Sequence, residues 1–311
     1  YALQTGGAIS ITCNYADFNA NLRTTGGVSS PIRIKTIGKA YFWNTAVQTA
    51  GADVVVWTNY NNSTTSGSFI YMENSSSIST SGGKIWLAGG QDDGGSAATI
   101  TSSRGAWSSL AANDGYPDGY AVGTNESGWN SSGMLLNSGT SLLSGGGDIF
   151  LAGSQGPTTA WGTSHIEVFP GVTIDSGAGR IAMWGKSVGA STGQGIALNR
   201  DGGTTTNPVL ITSNASSSDA ILIYSDSSAS TGSWSRGITS HWHGKYDAKR
   251  GWQGTQILAT AAGGGITLSG IGSGSSSSST GEGLYLDFID ILARGGPITL
   301  NGDSSTSTSS N

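Results

Sequence analysis

The sequence predicts an all-β solenoid, a right-handed parallel β-helix carrying inserted loops, with a β-sandwich as the alternative. Three observations point there. Glycine supplies 51 of 311 residues while charged residues make up only 11%. A short phrase recurs along the chain: two small residues, usually Gly-Gly, one variable residue, then an apolar–x–apolar strand. The copies are spaced in the range of stacked 20–50-residue repeats.

The composition comes first. An ordinary globular protein is about one quarter charged; here Ser, Thr, Asn and Gly take that place, so the surface is solvated by hydroxyls and amides. Disorder is excluded because 36% of residues are hydrophobic, including 10 Trp and 10 Tyr, enough to offset chain entropy. The glycines show no collagen period and only 6 prolines accompany them. A net charge of -5 and a pI near 5.0 argue against nucleic acid or an anionic membrane as partner. No apolar stretch approaches the roughly 18 residues of a spanning helix. The single Cys13 leaves no intrachain disulfide and no multi-cysteine metal site. Beginning at Tyr1 with no signal-peptide pattern, the chain is expected to be a processed product or a fragment of something longer.

The repeat comes next. Its corner glycines are Gly6-Gly7, Gly82-Gly83, Gly146-Gly147, Gly264-Gly265 and Gly295-Gly296, with looser copies at Gly51-Ala52 and Ala178-Gly179. Aligned on the first apolar residue, the copies sit at Ile9, Val54, Ile85, Ile149, Ile181, Ile266 and Ile298, a period of roughly 32 with one doubling and some insertions. About 15 residues upstream lies a second strand, as in Met134-Leu135-Leu136 or Ile166-Glu167-Val168, and a shorter one falls between, around Ile78, Leu142, Ile174 or Ile291. The unit therefore reads strand, short strand, Gly-Gly corner, strand. Alternation turns every second side chain inward. The glycine pair permits the tight backbone of a corner. One unit cannot bury its apolar face alone, whereas stacked copies form ladders of Ile, Val and Leu. Ser, Thr and Asn at the turns are placed to bond backbone groups or neighbouring rungs. Residues 1–303 are expected to form one elongated solenoid, irregular around 199–256, with 304–311 as a flexible Ser/Thr-rich tail.

Phrases such as Ser144-Gly145-Gly146-Gly147-Asp148-Ile149-Phe150-Leu151-Ala152-Gly153, preceded by Leu135-Leu136-Asn137-Ser138-Gly139-Thr140-Ser141-Leu142, resemble the repeats of filamentous-haemagglutinin-like bacterial exoproteins. The similarity covers about residues 50–303, with interruptions. It implies a large surface adhesin with a β-helical shaft. The Asn-Pro-Asn motifs of that family's secretion domain have no counterpart: Asn207-Pro208 is followed by Val209.

Candidate contact chemistry concentrates in the longest interval between repeats. Trp234, Arg236, His241, Trp242, His243, Lys245, Tyr246, Asp247, Lys249, Arg250 and Trp252 place aromatic rings beside cations and two of the three histidines. Inserted loops on a rigid scaffold are where binding groups usually sit. Trp and Tyr can stack on sugar faces, and Arg and Lys can meet carboxylates or sulfates. His241, His243 and Asp247 could also hold a metal; the alternative is a solvated loop or a contact between chains. The tryptophans elsewhere, such as Trp57, Trp86 and Trp184, lie in strand phrases and are read as core or chain–chain packing. Which way Trp86 faces, between Ile85 and Leu87, stays open.

Parallel β-helices also host polysaccharide lyases and hydrolases, which need opposed carboxylates or an acidic calcium cluster beside a base. Acidic groups are sparse here: Asp92-Asp93, Asp114, Asp118, Asp287 and Asp290. No Ser/His/Asp spacing, phosphate loop or His-Glu-x-x-His motif occurs. The expected function is thus structural and adhesive, a secreted or surface shaft without cofactor, contacting copies of itself or cell-surface and matrix components, glycans among them. A polysaccharide-active enzyme is the alternative.

Overall fold

The structure, a computed structural model, describes residues 2–62, 67–73, 75–92, 113–124, 131–156, 163–187, 194–199, 207–230, 235–240, 254–273 and 281–304. These build three long sheets of eight, nine and ten strands. With the exception of the short Ala121–Val122 strand, each strand pairs with the strand three places further along the chain, always in parallel. One turn runs, for example, through Ser164–Val168 in the first sheet, Thr173–Asp175 in the second and Ile181–Lys186 in the third. The next turn stacks on it in register. This is a parallel β-helix, and the expected unit of strand, short strand, corner and strand is the repeating turn.

Register explains the core. In the third sheet Ile32, Val54, Ile85, Ile149, Ile181 and Ile221 pair in one continuous column, and all six are fully buried. The second sheet adds Val47, Ile78, Leu142, Ile174 and Ile211. Each such side chain contributes about 1.5–3 kcal/mol by leaving water. At the last turn the column opens: Ile298 and Leu300 are 46% and 49% exposed.

The turn length is not constant near 32. Ile85 pairs directly with Ile149, so the 64 residues between equivalent positions form one turn with a long insertion, not two turns. Conversely, Ile32 and Ile221 belong to the same column and mark two additional turns. Their corners read Ser29-Ser30-Pro31 and Ser218-Asp219-Ala220, without the glycine pair. A loop's entropic cost grows only slowly with its length, so insertions leave the stacked strands undisturbed. Within residues 199–256, Val209–Ser213, Ile221–Asp226 and Ile238–Ser240 each take their place in one of the three sheets.

Two separate demands select glycine at the corners. At the first position Gly82 and Gly146 have φ of 120° and 138°, a region that disfavours any residue with a Cβ. At the second, a Cβ on Gly83 or Gly147 would lie 2.1 Å from the carbonyl oxygen of Ala52 or Gly83 in the turn below. Gly295 and Gly296 repeat this arrangement, but Gly264-Gly265 is displaced by one. The pairing of Ile266 with Ile298 puts Gly263 and Gly264 at the corner and Gly265 at the variable position. Gly6 and Gly7 carry neither demand: neither has a positive φ, and a Cβ on Gly6 would meet nothing within 4 Å and on Gly7 only Thr5 Oγ1 at 3.8 Å.

A buried hydroxyl completes four of the corners. Thr49, Thr80, Ser144 and Ser176 donate to the carbonyls of Ala52, Gly83, Gly147 and Gly179, three residues on. The same hydroxyls also face the next turn: Thr80 Oγ1 lies 3.0 Å from Ser144 O, and Ser144 Oγ 3.0 Å from Ser176 O. Each of these two hydroxyls has a single proton, shared between two carbonyls.

Two predictions follow from the corner. Gly147→Val should lower stability by about 2 kcal/mol or more, since backbone lies where its Cβ must go, whereas Gly6→Ala should stay within about 0.5 kcal/mol. Thr80→Val, which keeps the shape and removes the buried donor, should cost about 1–2 kcal/mol. Urea midpoints of the three variants check both.

Candidate functional site

Outward-facing residues carry any contact chemistry, and two sheets present aromatic ones. In the third sheet Ile85 and Leu87 point into the core, so Trp86 faces outward. It is nevertheless fully buried, as are Phe150 and Trp184. The chain inserted after Gly89 lies across this face: Gly89 bridges Gly119, Trp86 Nε1 donates to Pro117 O at 2.9 Å, and the Tyr116 ring centroid is 5.1 Å away. Small residues stack against large ones between turns, Ala88 against Trp57 and Ala182 against Phe150. The rings thus interlock as a second apolar layer, Trp86 stacking on Phe150 at 4.1 Å.

The same insertion accounts for the most conspicuous acidic group. Asp92 accepts the backbone N–H groups of Asp114 at 3.1 Å and Gly115 at 2.7 Å, closing the loop's base. Arg33 clamps it with a 2.6 Å bond to Gly115 O, and the Tyr116 hydroxyl bonds Asp53. Asp93 lies outside the described residues.

Of the candidate contact segment, Trp234, His241, Trp242, His243, Lys245, Tyr246, Asp247, Lys249, Arg250 and Trp252 lie outside the described residues. Arg236 is described and is 4% exposed. Its Nε donates to Glu282 Oε2 at 2.8 Å, and its guanidinium lies 3.8 Å from the Tyr285 ring centroid. That arginine ties adjacent turns together through Glu282 and Tyr285. Among the described residues no group of three His, Cys, Asp or Glu side chains is arranged to hold a metal.

Two features escaped sequence reasoning. His165 occupies an outward position of the first sheet yet is completely buried, with Nδ1 3.2 Å from Ser225 Oγ and no hydrogen-bond partner for Nε2 among the described residues. Burial pushes its pKa down to about 3, only partly offset by the Asp226 charge. Nothing in Ser164-His165-Ile166 signals this, because the groups beside the ring, Gly185 and Ser225, come from far along the chain.

The second is an exposed aromatic pair near the start of the shaft. Ala40–Trp43 alternates so that Ala40 and Phe42 enter the core while Tyr41 and Trp43 face out. Their ring centroids are 6.1 Å apart with 27° between planes, and Tyr41 is followed by Tyr71 at 6.4 Å. Trp43 is 43% exposed. Tyr41 donates its hydroxyl to Glu73 Oε2 at 2.7 Å, and burial together with that carboxylate raises its pKa. Lys39 pairs with Asp17 at 2.9 Å beside the same row. The alternation in Lys39-Ala40-Tyr41-Phe42-Trp43 was the available signal.

The class so defined is a parallel β-helical repeat protein. No protein-family model, curated protein or solved structure matches the chain.

His165 generates a pH prediction. An unfolded chain carries this histidine near its ordinary value of 6.5, whereas the fold holds it neutral down to about 3. The unfolded state therefore takes up the proton first as pH falls, and stability present above about pH 6.5 declines toward pH 3. Urea midpoints measured from pH 7 to pH 4 should fall more steeply for the native chain than for His165→Gln; equal slopes would contradict the assignment.

Proposed function

We propose that this chain is a section of a stiff extracellular or cell-surface shaft of filamentous-haemagglutinin-like type, serving bacterial attachment or self-assembly into a fibre or sheath, with no covalent chemistry of its own. The observation that carries the reading is the unbroken in-register stacking of turns through all three sheets. At about 4.8 Å per layer such stacking yields length and stiffness in proportion to the number of turns. Low charge and abundant hydroxyls suit a shaft whose identical positions face one another. Among the described residues the strand Ile298–Asp303 pairs on one side only, with Ile266–Ile271, and its Ile298 and Leu300 are half-exposed. No helix among the described residues is long and apolar enough to cross a membrane.

Two measurements on the purified chain test the proposal. Electron microscopy separates its two forms, since regular polymers mark a fibre and dispersed particles mark an adhesin segment. Beads coated with the chain should be retained on cells or extracellular matrix, and polysaccharides incubated with it should release no new reducing ends or unsaturated products. Turnover of any polysaccharide would replace this reading with an enzymatic one.

A further inference from the structure

We propose that the outer face of the first sheet around Tyr41 and Trp43 is a glycan-binding platform for neutral pyranose chains. The inference deepens the attachment role proposed above and rests on it for its biological setting, but its chemistry stands on the residues themselves.

Trp43 is the end ring of an aromatic row that continues through Tyr41, Tyr71 and Phe69, with successive centroids 6.1, 6.4 and 4.4 Å apart. The inner members are held in place, Tyr71 at 2% and Phe69 at 7% exposure, while Trp43 is 43% exposed. The row therefore buttresses one side of the indole and leaves the ring accessible to solvent. In the third sheet, by contrast, the outward rings of Trp86, Phe150 and Trp184 are fully buried. A large ring left open while its equivalents are closed over is suited to a flat, apolar ligand surface.

The polar groups around it are fixed as well. Glu73 is the register partner of Trp43 on the neighbouring strand, and the Tyr41 hydroxyl binds only one of its oxygens. Asp17 is the register partner of Tyr41 and is held by Lys39 at 2.9 Å, with its side chain 61% exposed. A carboxylate so restrained keeps free lone pairs aimed outward without further ordering. An apolar ring flanked by acceptors matches a pyranose, whose C–H face stacks while its hydroxyls donate.

Charge and size select within that class. Two carboxylates against one ammonium leave the platform net negative, which disfavours sulfated or uronic-acid chains. A protein partner would require about 800 Å² on each side, far more than one exposed indole and its rim provide. Equatorially linked glucose or N-acetylglucosamine chains, with flat unsubstituted ring faces, fit the geometry.

The test uses the full chain in isothermal titration calorimetry with cellohexaose, N-acetylchitohexaose and laminarihexaose as neutral probes and heparin as the anionic one. At least one neutral hexasaccharide should bind. Trp43→Ala should weaken it about tenfold or more, Trp43→Phe less, and Tyr41→Phe, which frees Glu73, by an intermediate factor. Melting temperatures within a few degrees of the native value exclude unfolding as the cause. No neutral binding, binding unaffected by Trp43→Ala, or binding of heparin alone would each overturn the proposal. A failure here with adhesion of coated beads intact would leave the shaft's attachment role standing through another surface. Loss of adhesion with glycan binding preserved would separate them in the opposite sense.

Discussion

At three successive corners leading into the third strand, the buried hydroxyls of Thr49, Thr80 and Ser144 sit between the carbonyl of their own turn and the carbonyl of the next. The regularity of the solenoid through these turns depends on this contact. It demands that equivalent residues lie directly above one another, one strand spacing apart. Once they do, the residue stacked over the hydroxyl's acceptor has no room for a side chain, and Gly83, Gly147 and Gly179 stand there in succession. The strand that leaves the corner then starts at a fixed height and phase, which sends Ile85, Ile149 and Ile181 into one column. Serine and threonine, poor helix formers because they compete with the backbone for hydrogen bonds, become structural parts here for the same reason.

Stacking like upon like also explains what the chain avoids. A charged residue repeated at one position would face its own sign at about 4.8 Å. The variable corner position shows the permitted solution, alternating Asp53, Lys84, Asp148 and Arg180 up the solenoid. Asp53 Oδ1 accepts the Lys84 N–H at 2.7 Å and Asp148 Oδ1 the Arg180 N–H at 2.8 Å, so the acids serve the backbone as much as the ion pairs. Aromatic side chains meet a similar limit through volume, and bulky and small residues exchange between adjacent outward columns where Phe150 neighbours Ala182 and Trp184 neighbours Ala152. Hydroxyl and amide side chains escape both limits, which is why an 11% charged composition is compatible with a folded, hydrated surface.

The long insertion between Gly89 and Met134 shows how such a regular object acquires irregular surfaces. Its described part closes over Trp86 and is pinned by Arg33 and Asp92, groups from the shaft and from the insertion's own base. A face covered in this way is spent on stability. The first-sheet face near Tyr41 and Trp43 has its aromatic row buried at one end and open at the other, so rigidity and accessibility meet at Trp43.

Much of the fold was legible because its determinants are local and repeated: the apolar alternation, the glycine pair and the preceding hydroxyl recur within a few residues of one another. By itself the sequence determined the all-β class, the three-strand turn and most members of the core column. It misjudged the turn length, because Ser29-Ser30-Pro31 and Ser218-Asp219-Ala220 build corners without the glycine phrase and because 64 residues can separate two stacked strands. Only the tertiary structure decided which glycine of Gly263-Gly264-Gly265 stands at the corner, since register between turns assigns that place. Only it could decide that outward Trp86 is buried and Trp43 is not. Alternation states which face of a sheet a side chain occupies; what covers that face comes from chain dozens of residues away, and no local pattern carries it.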